Sequence, residues 1–220
     1  LTAATRIIEY AEKQGKPCVI NYSLGSQWGP RDGSALDDQA LSELAKKAII
    51  CKSAGNDGRM EDYFSETLTD ERNSIATALI FKSIGDNTGE LEFWLNDSRS
   101  VEVEIFAIGT ANGETKEFTL LTIPGPTLTP MGNPMTKRYV SADLAADFKT
   151  IFSGRIGVSA GVEKQNNRYC IEFMFDNGFQ MHGFTVDGVR WTRTQIGIRL
   201  KGESGQRIDG NCCGDYVKFQ

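Results

Sequence analysis

Two short segments of the sequence place glycine and small polar residues directly after apolar runs. They are Val19-Ile-Asn-Tyr-Ser-Leu-Gly25 and Ile50-Cys-Lys-Ser-Ala-Gly-Asn-Asp-Gly58. Glycine has no Cβ, so the backbone of a bound ligand can approach these positions closely. Asn and Gly are also common where a chain simply turns away from a strand. The segments therefore predict either a binding site for an extended chain or two ordinary strand-ending turns.

The residues up to position 73 follow the order helix, strand, helix, strand. Apolar residues recur at helical spacing in two stretches, and a short apolar run follows each of them at 17–23 and 48–51. Short continuous apolar runs are typical of strands that are buried on both faces. Two such strands joined by a helix predict a parallel pair with a right-handed crossover. Both polar segments then lie at the carboxyl edge of one sheet, where ligand sites gather in α/β proteins.

From residue 74 onwards the pattern is typical of an all-β chain. Turn signals separate the apolar runs at Gly85-Asp86, Asn112-Gly113, Asn177-Gly178, Asp187-Gly188 and Gly202, and Asn177-Gly178 predicts a hairpin. We expect a two-sheet sandwich, and a jelly roll of two Greek keys is one form of such a sandwich. The candidate strands are Ile75–Ile84, Glu90–Asn96, Val101–Ile108, Glu117–Ile123, Arg138–Ala142, Gly154–Val162, Tyr169–Phe175, Gln180–Val186 and Gln195–Leu200.

In their order and spacing the two segments resemble the subtilisin-like serine proteases (subtilases). That family has a strand ending in Asn-x-Ser-Leu-Gly, then one helix, then a strand ending in Ala-Gly-Asn-x-Gly. The stretch Gly29-Pro-Arg-Asp-Gly33 is similar to a loop found in one branch of the family. The resemblance covers residues 1–60. The matching residues are Asn21, Ser23, Leu24, Gly25, Ala54, Gly55, Asn56 and Gly58.

The resemblance implies roles for these residues. The side-chain amide of Asn56 would donate a hydrogen bond to the oxyanion of the tetrahedral intermediate. Ser23, Leu24 and Gly25 would pair with the substrate backbone and form one wall of the pocket for the residue before the scissile bond. The opposite wall would be Ser53, Ala54 and Gly55, with Asp57 at the base of the pocket, where its carboxylate would favour a basic substrate side chain.

The catalytic triad of that family is absent from this sequence. In subtilases the Asp and His precede the first motif and the Ser follows in a Gly-Thr-Ser-x-Ala type motif, which does not occur here. The one histidine, His182, lies in the β-rich half and is expected to be an ordinary strand residue. A serine without a base beside it cannot act as a nucleophile, so we expect this chain alone to hydrolyse nothing.

The position of the β-rich half matches an insertion found in some subtilases. The spore-germination proteases of the Csp type carry a jelly-roll insertion between the oxyanion asparagine and the catalytic serine. We therefore predict an α/β fold class, a partial parallel sheet of a subtilisin-like domain in residues 1–73, plus an all-β jelly-roll insertion in residues 74–220. Leu1 begins inside a predicted helix, which predicts an internal segment of a longer protein. Family resemblance implies a secreted or envelope location.

Composition argues against several other functions. The formal net charge is −5, which is not the footprint of a nucleic-acid-binding protein, and no apolar stretch approaches the roughly 20 residues that span a bilayer. The five cysteines show no zinc-ligand spacing. No cofactor is expected, and calcium is a minor alternative to ordinary turns for a set of acidic and amide residues. These residues are Asp86, Asn87, Asp97, Asp176, Asn177 and Asp187.

Three functions remain open from the sequence. The first is a fragment of a serine endopeptidase whose partner is a protein or peptide substrate. The second is a β-sandwich binding module, in which Trp28, Trp94 and Trp191 could form a sugar-stacking surface, although such tryptophans usually belong to a core or rim. The third is a pseudoprotease. Because two strands form an incomplete sheet, we also expect self-association or packing through the exposed surface of residues 1–60.

Overall fold

A computed structural model describes most of the chain as two compact units. The units are Leu1–Arg59 and Met60–Gln220. The structure describes residues 1–56, 62–81, 89–124, 138–140, 144–145, 148–164, 166–213 and 217–220.

The first unit contains two helices and two strands. They are α1 (Thr2–Lys13), β1 (Val19–Tyr22), α2 (Leu36–Leu44) and β2 (Ile49–Lys52). The strands pair in parallel, with Val19 opposite Ile49 and Tyr22 opposite Lys52. The predicted parallel pairing is confirmed.

The core of the first unit is small. It consists of Ala4, Ile8 and Ile20, with a few partly buried neighbours. On the other face of the strand pair, Val19 and Ile49 remain 66% and 63% exposed. Burying one isoleucine contributes about 1.5–3 kcal/mol, whereas ordering one residue's backbone costs about 1–2 kcal/mol. This exposed face is the surface through which we predicted self-association. The association itself stays a prediction.

The predicted α/β fold class is wrong. The described part of the chain is mostly β structure, with 52% strand and 13% helix. Within the described residues, β1 and β2 make the one parallel pair, and the other strand pairs are antiparallel. A single strand–helix–strand unit followed the sequence rule for a parallel sheet, but no further parallel strand joins it in the described part of the chain. The protein is mainly an antiparallel β structure.

The second unit contains two antiparallel sheets. Sheet I has the strand order β3, β13, β5, β10, β9, β8, and sheet II has the order β14, β4, β12, β6, β7, with β11 paired to β12. The strands are β3 (Tyr63–Thr67), β4 (Ser74–Phe81), β5 (Gly89–Leu95), β6 (Glu102–Ala111), β7 (Glu114–Ile123), β8 (Arg138–Tyr139), β9 (Phe152–Val162), β10 (Tyr169–Met181), β11 (Phe184–Val186), β12 (Val189–Lys201), β13 (Arg207–Cys212) and β14 (Val217–Phe219).

Inward-facing side chains from both sheets form one hydrophobic core. Leu91, Phe93 and Leu95 alternate along β5 and are almost fully buried, as the period-two pattern predicts. Aromatic rings join the sheets directly, because Phe81 of sheet II lies 5.2 Å from Phe175 of sheet I between ring centroids. The two sheets are therefore held together mainly by apolar burial.

The predicted turns at Asn112-Gly113 and Asp187-Gly188 are confirmed, and both form hairpins. Asn112-Gly113 joins β6 to β7 and Asp187-Gly188 joins β11 to β12, and all four residues have positive φ. That backbone is the one that two-residue hairpins require. The turn predicted at Asn177-Gly178 is wrong, because β10 continues through it and shifts its register against β9 between Asp176 and Gln180. Positive φ at Gly178 here serves a β-bulge instead.

A buried ion pair ties four chain segments of sheet I together. Arg168 Nη2 lies 3.0 Å from Asp209 Oδ2, and the two side chains are only 6% and 3% exposed. Ser65 donates a 2.7 Å hydrogen bond to the same carboxylate, and Arg168 also donates to the Leu95 carbonyl. Burial alone would raise the pKa of Asp209, but the hydrogen bonds from Ser65 and Arg168 and the charge of Arg207 outweigh it and lower the pKa.

Replacing one partner of this pair should destabilise the second unit. Arg168→Met leaves the Asp209 carboxylate buried with fewer donors, and we expect the free energy of unfolding to fall by about 3 kcal/mol. The measurement is urea unfolding followed by circular dichroism.

Arg72→Met is the matched control. Arg72 pairs with Glu66 in an exposed ion pair, whose loss should cost at most about 1 kcal/mol. Equal unfolding midpoints for the two variants would contradict a stabilising role for the buried pair.

Candidate functional site

The two segments singled out in the sequence leave the strand pair of the first unit side by side. Tyr22, the last residue of β1, is opposite Lys52, the last residue of β2. The backbone N–H of Ser53 donates a 3.3 Å hydrogen bond to the Tyr22 carbonyl. Both segments therefore begin at the same edge of the sheet, as expected for parallel strands.

The first segment, Ser23 to Gly25, is exposed and has no regular secondary structure. The hydroxyl of Ser23 donates a 3.1 Å hydrogen bond to Asn21 Oδ1, which orients the Asn21 side chain. Leu24 is exposed, although leucine is usually buried. A strand end of this kind offers its backbone and one apolar side chain to a ligand.

The second segment, Ser53 to Asn56, is also exposed. Gly55 has φ +85°, in the region that only glycine adopts without strain, and a Cβ there would meet no heavy atom within 4 Å. Asn56 follows at a bend, so its amide is accessible to a ligand. Asp57 lies outside the described residues.

A groove next to these segments was not found from the sequence. It has a volume of about 490 Å³ and lies between the loop around Trp28, helix α2 and strand β2. Its polar lining includes Asp38 and Lys52, whose Oδ1 and Nζ atoms are 3.0 Å apart. These residues are spread over 26–52 and share no local motif, so no sequence pattern predicts their meeting.

The histidine has an ordinary structural position. His182 is exposed and lies between β10 and β11 in the second unit. Its backbone N–H donates to the Ile151 carbonyl at 2.7 Å, and its carbonyl accepts from the Thr194 hydroxyl. The expected position within a strand is wrong, because β10 ends at Met181 and β11 begins at Phe184.

Two of the tryptophans and two of the acidic turn residues have structural partners in the second unit. Trp94 donates its indole N–H to Glu92, and Trp191 packs against Phe118, so both rings are buried and cannot form a stacking surface. Asp97 and Asp176 each accept hydrogen bonds from an arginine. Among the residues that the structure describes, no three His, Cys, Asp or Glu side chains are placed to hold a metal. Asp86 and Asn87 lie outside them.

The fold of the chain is similar to that of a solved protease. The match is to the CspB protease of Clostridium perfringens, with a TM-score of 0.58 and 16% sequence identity. It covers 98% of this chain and 39% of the CspB chain. No protein-family model matches the sequence, and no curated protein matches it.

The comparison confirms part of the predicted resemblance. At 16% identity it establishes a Csp-like fold, and this chain spans 39% of the length of that protease. The roles predicted for Asn56 and its neighbours stay predictions. No helix in the described parts of the chain is long and apolar enough to cross a membrane.

The two site glycines should respond differently to alanine. Gly55→Ala forces a side chain into a positive-φ backbone, which costs of order 1–3 kcal/mol, whereas Gly25 does not have positive φ and has equally open surroundings. We expect Gly55→Ala to speed hydrogen exchange at the Ser53 amide by about fivefold or more.

Gly25→Ala is the control and should change that exchange rate by less than about twofold. Equal exchange rates in the two variants would show that the backbone of Gly55 does not hold the second segment in place.

Proposed function

We propose that this chain is the part of a subtilisin-like serine endopeptidase that carries the oxyanion-hole asparagine and the substrate-binding strand ends. The observation that carries the proposal is the side-by-side exit of the two motif segments from the parallel pair β1 and β2. The Csp-like fold of the chain supports it. In this proposal the Asp, His and Ser of the triad belong to the rest of the longer protein, and the chain alone is inactive.

The proposed mechanism assigns each segment a distinct task. A protein or peptide substrate would run along Ser23–Gly25 with its backbone extended, and Ser53–Gly55 would face it across the pocket. The amide of Asn56 would donate to the oxygen that gains charge as the serine of the longer protein attacks the carbonyl. Asn56 is exposed and directly follows a positive-φ glycine, so its amide is accessible to a substrate. Asp57 would lie at the pocket base and favour a basic side chain.

The β-rich half has a separate place in the proposal. Residues 74–220 would be an insertion between the oxyanion segment and the catalytic serine of the longer protein. A secreted or envelope location is proposed on family resemblance alone.

The alternative functions have no specific observation in their favour. Among the described residues of the second unit, Tyr63 is the one large hydrophobic side chain that is exposed, so no aromatic patch supports a carbohydrate-binding surface. A pseudoprotease would share every feature of this chain and differ in residues outside it. Activity of the longer protein separates these cases.

Removal of the Asn56 amide should slow catalysis without weakening substrate binding. In the longer protein, Asn56→Ala should lower kcat by about 10²–10³-fold with KM nearly unchanged, since an oxyanion donor acts in the transition state. The measurement is steady-state kinetics on a peptide library, with the unfolding midpoint recorded for each variant.

Asn73→Ala is the matched control, because Asn73 is exposed in the second unit and its carbonyl, which the substitution keeps, accepts the Gly202 amide. It should leave kcat unchanged. An active longer protein that tolerates Asn56→Ala would remove the oxyanion assignment, and an inactive wild type would favour the pseudoprotease.

A further inference from the structure

The groove beside the candidate site combines an apolar floor with charged walls. Leu41 is buried and Ile50 is half-buried in its floor, while Trp28 is 48% exposed on its side. Arg31 and Lys52 bring two positive charges to the lining, and Asp38 brings one negative charge. Its volume of about 490 Å³ lies within the 300–1,000 Å³ of small-ligand sites.

The Lys52 ammonium group is positively charged at physiological pH and partly exposed to solvent. The hydrogen bond from Lys52 to Asp38 raises the pKa of Lys52, so the ammonium stays protonated at physiological pH. The Lys52 side chain is 43% exposed, and an ammonium group has three N–H donors. One donor is taken by Asp38, which leaves room for a second anionic partner.

The apolar part of the groove needs a ligand with an apolar group. A bare phosphate or sulfate would meet the cations but leave the indole and the leucine floor in water. A purely apolar ligand would place carbon against a charged ammonium, which costs desolvation without a hydrogen bond. A ligand that meets both requirements carries an anionic group, such as a carboxylate, and an apolar group within a few bonds of each other.

We propose that this groove binds the C-terminal residue of a peptide. The free carboxylate contacts Lys52 and Arg31, and the apolar side chain of the same residue packs on Trp28 and Leu41. Both groups leave one Cα, so they fit within a single groove of this size. None of these four residues belongs to Ser23–Gly25 or Ser53–Asn56, so substitutions in the groove test this proposal independently of the proposed peptidase function.

Trp28 provides a direct reporter of binding. It is the exposed one of the three tryptophans, because Trp94 and Trp191 are buried in the second unit. Titration of the 220-residue chain with N-acetyl-Ala-Leu should change the Trp28 emission saturably, with a Kd of about 1 mM or below. The C-terminal amide of the same peptide should bind about tenfold or more weakly, since a charge-assisted hydrogen bond is lost.

Substitutions test the charge contacts in both directions. Lys52→Gln should weaken the acid by about tenfold and leave the amide unchanged. Asp38→Asn releases Lys52 from its internal partner and should tighten binding of the acid by about two- to fivefold. Lys46→Gln is the control, because Lys46 pairs with Glu43 on α2 and is not part of the groove lining.

Several results would overturn the proposal. Equal affinity for the acid and the amide would show that the cations do not recognise the carboxylate. An unchanged affinity in Lys52→Gln, with native circular dichroism, would show the same. No saturable change up to about 10 mM peptide, in fluorescence and in NMR shifts of the Lys52 amide, would exclude the site.

Discussion

The second unit depends on one apolar core that two antiparallel sheets share. The alternation of residues along each strand sends one set of side chains into that core, and the remaining set must suit the outer faces. On the outer face of sheet II, the ring of Phe106 covers Gly197 so closely that a Cβ would lie 2.2 Å from it. On sheet I, the ring of Phe64 covers Gly210 from the core side, since Phe64 packs against the hydrophobic core. Glycine at these positions is therefore a consequence of packing between neighbouring strands.

Burial of side chains by the packed strands also explains why the polar groups of sheet I hydrogen-bond to one another. Asp209 lies on β13 with almost no exposure. Its buried charge therefore requires hydrogen-bond donors from neighbouring segments of the same chain. Ser65 and Arg168 supply them from one strand and one loop. The first unit has no comparable support, since its core contains three buried side chains. Its strand ends are consequently the more exposed and ligand-accessible part of the described chain.

Local patterns predicted local structure well and the fold class poorly. The alternation along β5 and the Asn112-Gly113 turn depend on neighbouring residues, and both predictions hold. Strand β3 was not among the predicted strands. It pairs with β13, which follows some 140 residues later, so its formation is a tertiary effect. The same sequence signal at Asn177-Gly178 produced a bulge, since β9 continues to pair with β10 beyond it. The fold class was named after one strand–helix–strand unit, whereas most of the described chain is antiparallel β structure.

In the candidate site, too, features set by neighbouring residues were predicted from the sequence, and features set by tertiary packing were not. The two motifs and their spacing predicted segments that leave adjacent strands, which the backbone of β1 and β2 confirms. The groove around Trp28 and Lys52 could not be predicted, because it arises from the packing of α2 against β2. The roles of individual residues depend on chemistry that a similar fold does not establish. For Asn56 the decisive question is where its amide points when a substrate carbonyl becomes tetrahedral.

The most direct test is a crystal structure of the longer protein bound to a peptide aldehyde, which forms a tetrahedral adduct with a catalytic serine. Our account predicts that Asn56 Nδ2 lies about 2.7–3.1 Å from the adduct oxygen, with the peptide backbone paired to Ser23–Gly25. An adduct whose oxygen is held by other donors, with Asn56 turned into solvent, would contradict it.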